Sequence, residues 1–136
     1  MDYEQLFDRS FERCRSRNDR EPFFESFYNR YLQTDQRVAQ VFANTDMARQ
    51  QKMLEKSFYR LLIFYATNSA DDYIEQIAVL HNRHHLNITP DLYDLWLQAL
   101  IETVSDYDTE FDDSIELAWR LVLSTGITYM KFKYDH

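Results

Sequence analysis

Apolar residues recur at intervals of three and four along almost the whole chain, the spacing of one face of an α-helix. Between residues 2 and 17 they are Tyr3, Leu6, Phe7, Phe11 and Cys14, and Asn18-Asp19 interrupts them. Pro22 suits the first turn of a second helix, where its missing N–H costs little, and Phe24, Phe27, Tyr28, Tyr31 and Leu32 form its apolar line. Thr34-Asp35 opens a short helical piece, "DQRVAQVF", and Asn44 or Thr45 in "ANTD" is the expected cap of the next helix. That helix carries Met47, Gln50, Leu54, Phe58, Leu61, Leu62 and Tyr65 and should end near Asn68. Ser69 is expected to cap another, with Asp71 and Asp72 in a first turn that favours negative charge. Ile74, Ile77 and Leu80 form its apolar line, and His81 and His84 continue that face. Thr89-Pro90-Asp91 signals the start of a helix bearing Leu92, Trp96, Leu100 and Val104. "SDYDTEFDDS" is polar and turn-like, and a last helix from about Asp113 carries Ile115, Trp119, Leu123 and Ile127. There is no internal repeat, linker or low-complexity stretch. The pattern predicts an all-α fold of six or seven helices and no strands, one domain over residues 1–136.

Composition agrees with that pattern. One Gly and two Pro in 136 residues are too few for the many tight turns of a β-rich fold. Hydrophobic residues at 45 % and aromatics at 16 % supply a core. A formal charge of −8 argues against a nucleic-acid backbone as partner. The longest apolar run, "LLIFYA", is far too short to span a bilayer, so no membrane insertion is expected. The start "MDYEQLFDRSFERC" lacks the pattern of a signal peptide, and the single Cys14 cannot form an internal disulfide. Both point to the cytoplasm.

Three of the four histidines fall in "LHNRHHLNITP". Three readings compete: half-buried histidines with no ligand, a pair at helical spacing on a Zn or Ni ion, or one axial ligand to haem. The metal-pair reading lacks a nearby Cys or acid to complete the coordination.

The wider layout, from about residue 23 onward, resembles the globin family. "FYNRYLQTDQRVAQVF" looks like the globin B and C helices, with Phe42 as the Phe that packs on the haem face. "QQKMLEKSFYRLLIFYATN" looks like the distal E helix. "IAVLHNRHHLNITPDLYDLWLQALIETV" looks like the F helix, its corner and the G helix, and "AWRLVLSTGITYMKFKY" looks like the H helix. Within the family the chain is similar to bacterial single-domain globins and to the haem domain of flavohaemoglobins. The specificity lies in the order of Phe42, Gln50, Leu54, His81, Pro90 and Tyr93.

The resemblance implies haem b, with His81 as the proximal ligand through Nε2 and His84 as the alternative. In flavohaemoglobins that histidine stands seven residues before the Pro of the next helix; here Arg83 does, with His81 nine and His84 six residues before Pro90. His81 continues the apolar stripe of Ile77 and Leu80. On the distal side the resemblance makes Tyr28 and Gln50 the residues that face a bound ligand, with Gln51 as rival to Gln50, and puts Leu54 over the iron. Phe27 and Leu62 would line the pocket as packing. A phenol and an amide can each donate to partial negative charge on a bound gas. Tyr93 corresponds to a Tyr near the proximal side. The family's H-helix Glu, which makes the histidine more basic, has no counterpart; an ungapped match falls near Tyr134. Lys52, Arg60, Arg83 and Lys131 are candidates for the haem propionates. Trp96 and Trp119 are read as large core residues. No His lies between residues 46 and 68, so the distal helix offers no second imidazole.

What the resemblance implies is reversible binding of dioxygen, NO or CO by a carrier, store or sensor, monomeric or homodimeric. An NO dioxygenase or peroxidase-type enzyme is the alternative. The chain as read carries no flavin or NAD reductase region, so turnover or signalling would need a separate reductase or output partner. A haem-free helical interaction protein is the third reading.

Overall fold

The computed structural model describes all 136 residues. They form seven α-helices and no strand: α1 (Tyr3–Arg15), α2 (Phe23–Tyr31), α3 (Gln36–Val41), α4 (Met47–Thr67), α5 (Asp72–His81), α6 (Pro90–Tyr107) and α7 (Asp113–Lys133). Every element predicted from the apolar spacing is present, and the differences lie at the ends.

The helix starts are set mainly by carboxylates. Asp2 and Gln5 form a reciprocal capping box at α1. Asp35 caps α3 and Asp112 caps α7. Asp46, and neither Asn44 nor Thr45, caps α4 by accepting the Arg49 N–H (3.3 Å). Asp71, not Ser69, caps α5: its carboxylate accepts the Ile74 N–H (2.9 Å) and the Arg60 guanidinium (3.2 Å). Pro22 stands just before α2, not within its first turn. Asn68 adopts the left-handed conformation (φ 55°) that ends α4, as Asn does with little strain.

The end of α5 matters most. The helix stops at His81, and Asn82 turns to extended backbone. His84 therefore does not continue the face of Ile77 and His81; it lies in the corner before α6.

α1 packs on α6 and α7, α4 and α5 pack on α7, and α2 packs across α6 and α4. Between α1 and the rest lies an aromatic core. The rings of Phe7 and Trp119 are 4.6 Å apart, Phe11 and Phe58 5.1 Å, and Phe24 and Phe58 5.3 Å, tilted or edge-on as ring quadrupoles prefer. One buried polar group sits at its margin. Asp108 accepts from Ser10 Oγ (2.5 Å) and from Arg13 Nε (2.6 Å), and Ser10 accepts from Trp119 Nε1 (2.9 Å). No helix is long and apolar enough to cross a membrane.

Candidate functional site

On the far side of this core, α2 to α7 enclose a cavity of about 290 Å³; α1 contributes nothing to it. Of its 24 lining residues, 19 are hydrophobic, a composition suited to an apolar ligand fixed by a few polar groups. α2 supplies Tyr28, the end of α3 supplies Phe42, α4 supplies Gln50 and Leu54, α5 supplies Ile77 and His81, and α6 supplies Tyr93. The fold thus gathers six positions singled out from the sequence: Tyr28, Phe42, Gln50, Leu54, His81 and Tyr93.

His81 is the chemical centre. Its Nδ1 lies 2.7 Å from the Ile77 carbonyl, which can only accept, so Nδ1 carries the proton. That fixes the tautomer with Nε2 bare, and no protein donor reaches Nε2. Burial holds its pKa below the ordinary histidine value, a shift only partly offset by the carbonyl. A neutral imidazole with a bare Nε2, on the wall of an apolar cavity, is the form in which histidine binds a metal.

The other two histidines of the cluster have different surroundings. His84 is exposed, and its Nε2 accepts from Arg83 Nε (3.3 Å). His85 is exposed, with Nδ1 2.8 Å from Asn82 Oδ1. Neither lines the cavity.

Across the helices, Gln50 Nε2 donates to Tyr28 Oη (3.1 Å). The Tyr28 hydroxyl thus has its oxygen engaged while its own proton has no acceptor in the protein. Burial raises its pKa to about 12, against the smaller lowering by Gln50, so it remains a proton-bearing donor at neutral pH. Phe42 packs edge-on against Tyr28 at 5.6 Å and holds the phenol in place. Gln51 does not reach the cavity.

Two other lining tyrosines are tied down. Tyr31 donates to the Leu92 carbonyl (3.2 Å), and Tyr73 lies 3.0 Å from Ser57 Oγ. Ser57 Oγ also lies 2.8 Å from the Met53 carbonyl, to which it must donate, so Tyr73 is the donor to Ser57. Tyr93 is half-buried, with burial raising its pKa.

The four candidates for the haem propionates lie outside the cavity lining. Lys52 and Arg83 are exposed and do not line the cavity. Arg60 pairs with Asp71, and Lys131 pairs with Asp94 (2.7 Å). Of the two tryptophans, Trp119 is fully buried, but Trp96 is a wall of the cavity. The Ser57–Tyr73 pair was also not foreseen; nothing in the spacing marks which turn of α4 meets the start of α5. Gly126, the single glycine, lies on the wall where α7 passes α4, and a Cβ there would fall 2.2 Å from Leu61 Cδ2. At Tyr134, where the resemblance would want an acid beside the histidine, the hydroxyl instead donates to Asn87 Oδ1 (2.5 Å) and the carbonyl accepts from Arg83 N–H (3.0 Å).

No protein-family model matches the chain, and no curated protein matches it. Among solved structures it is similar to a protein from Pseudomonas aeruginosa PAO1, described as structurally highly homologous to a human hemoglobin. The TM-score is 0.92 and the identity 30 %, over 99 % of this chain and 100 % of that one.

Proposed function

The chain belongs to the globin family, and from that premise we propose that it binds haem in the α2–α7 cavity through His81 and holds a diatomic gas reversibly, as a carrier, store or sensor. The observation that carries this reading is His81 itself: half-buried on the cavity wall, its tautomer fixed by Ile77, with Nε2 free of any protein partner. The residues present fit the group. The wall offers an apolar surface to a flat macrocycle, one bare imidazole nitrogen to its iron, and no acid or second imidazole to compete.

Haem supplies an iron with an open position for dioxygen, NO or CO. The chain does the rest. His81 holds the group from one helix, and the carbonyl of Ile77 keeps its ring oriented. Tyr28, steadied by Gln50 and Phe42, presents a hydroxyl proton to negative charge on a bound gas. Leu54, Trp96 and Ile127 keep the space apolar, which excludes water and strengthens that hydrogen bond.

His81 also weighs against the peroxidase-type alternative. A carboxylate on Nδ1 makes a proximal imidazole strongly basic, and here the partner is a backbone carbonyl. Dioxygenation of NO, with a separate reductase as electron donor, is the enzymatic reading left beside the carrier. Nitrate formation from NO in the presence of a reductant separates the two.

The test is an absorption spectrum with one equivalent of haem, ferric and then reduced under CO. Wild type and His84→Ala should show a histidine-ligated haem, and His81→Ala should lose it. Loss in His84→Ala alone would move the ligand to the corner. Failure of wild type to take up haem would leave only a haem-free helical protein.

A further inference from the structure

The lightest wall of the cavity is α3. It is six residues long, buries only Val38, and makes no extensive contact with any other helix. Yet Val38, Val41 and the following Phe42 all face the cavity. Its polar tie to the rest of the molecule is the side chain of Arg37. Its guanidinium grips Asp35, the cap of α3, through Nε (3.1 Å) and an Nη (3.0 Å). The same Nη donates to Asp91 Oδ2 at 2.5 Å, and the other Nη reaches Thr89 Oγ1 at 3.4 Å. Thr89 in turn donates to Asp91 Oδ1 (2.6 Å). Thr89 and Asp91 open α6, which carries Leu92, Tyr93 and Trp96 into the same cavity. One cation therefore binds two helix starts across the rim.

An isolated exposed pair would be a poor fastener, worth little against water and side-chain entropy. This one differs in two ways. It is a network with bidentate geometry at Asp35, and apart from it α3 is held only by the apolar packing of Val38 and Val41 and, at its end, of Phe42 against Tyr28 and Tyr31. Local opening draws on the parts of a fold with the fewest buried contacts.

We propose that the Arg37–Asp91 ion pair is a latch that keeps α3 closed as a wall of the cavity and sets how fast the cavity exchanges the group it holds. With haem as that group, the inference rests on the function proposed above; the latch itself rests only on the protein's own contacts.

Two measurements test it. The first follows amide hydrogen exchange of the protein without haem. Arg37→Met should raise exchange over residues 36–42 and leave α1 and the α1-facing part of α7 unchanged. The second follows haem transfer from the loaded protein to excess apomyoglobin. Arg37→Met and Asp91→Asn should each speed transfer about fivefold, the scale of a small surface ion-pair network. The double variant should be no faster than the faster single one, because both remove the same link. Added 0.5 M NaCl, on the order of three times physiological ionic strength, should speed wild type and leave the double variant unchanged. Arg15→Met, which breaks exposed pairs with Glu12 and Glu55 away from the cavity, is the control and should transfer at the wild-type rate. Unchanged exchange over 36–42, or equal acceleration by Arg15→Met, overturns the latch. Raised exchange in a protein that takes up no haem keeps the latch and removes the haem reading.

Discussion

Tyr28 shows how much a single side chain can be prepared for a ligand. Its oxygen accepts from Gln50 and its ring is fixed by Phe42, so the one degree of freedom left is the direction of the hydroxyl proton. On the proposed function, Tyr28→Phe removes a charge-assisted donor worth roughly 1.5–3 kcal/mol, so dioxygen should leave about ten- to a hundredfold faster. CO, which carries less negative charge when bound, should be affected far less. Equal effects on both gases in stopped-flow measurements would assign Tyr28 to packing alone. Tyr28, Gln50 and His81 could be singled out from the sequence because their order along the chain resembles that of the globins. The apolar stripe of Ile77 and Leu80 favoured His81 over His84 but left His84 open. The distance to Pro90 fitted neither, and only the break at Asn82 showed that the apolar face ends with His81. Trp96 was read as core for a related reason: a large apolar residue on a helical stripe has the same signature whether it faces neighbours or a cavity.

At the scale of whole helices the periodicity of apolar residues was sufficient, because every helix but α3 buries a continuous face. The starts were less legible. Ser, Thr, Asn and Asp all make good caps, and clusters such as Asn44-Thr45-Asp46 or Ser69 to Asp72 offer several. Tertiary partners decide among them; Asp71 prevails at α5, where Arg60 of α4 reaches its carboxylate. The crossing of α4 and α7 is another feature set by a partner, since Gly126 is needed only where Leu61 meets it. Gly126→Ala should gain about 1 kcal/mol in helix propensity and lose roughly 1–3 kcal/mol to crowding. The clash is with the tip of a half-buried Leu61, which can rotate toward the cavity. Melting temperature should therefore fall by no more than about 7 °C, the shift expected for ~2 kcal/mol in a chain this size. The cavity should shrink, and CO rebinding after photolysis of the haem-loaded variant should slow. A large loss of stability with unaltered rebinding would show that Leu61 cannot move.

For the whole molecule, the question is what fastens α1, which takes no part in the cavity, to the helices that form it. Its aromatic face supplies area, and Asp108 supplies direction. That carboxylate is buried, and it receives Ser10 and Arg13 from α1 together with the backbone N–H of Glu110. Burial alone would push its pKa up; the Arg13, Ser10 and Glu110 donors outweigh burial and bring it below the ordinary carboxylate value. The folded pKa thus lies below the unfolded one. The contribution is complete above the unfolded value of about 3.9 and is lost as pH falls through the lower folded value. Asp108→Asn keeps an acceptor oxygen but removes the charge and places an amide N–H₂ against the donors of Ser10 or Arg13. Breaking a buried pair in this way costs about 3 kcal/mol, enough to lower the melting temperature by roughly 10 °C at pH 7. Urea titrations of the two proteins should therefore differ most near neutral pH, begin to converge as pH falls below about 4, and meet only below the lower folded value, where wild type also loses its carboxylate. A gap that persisted unchanged to the acid limit would mean that the fold relies on the shape of this side chain and not on its charge. Because α1 stays outside the cavity, the haem spectrum of the folded variant should match wild type at pH 7.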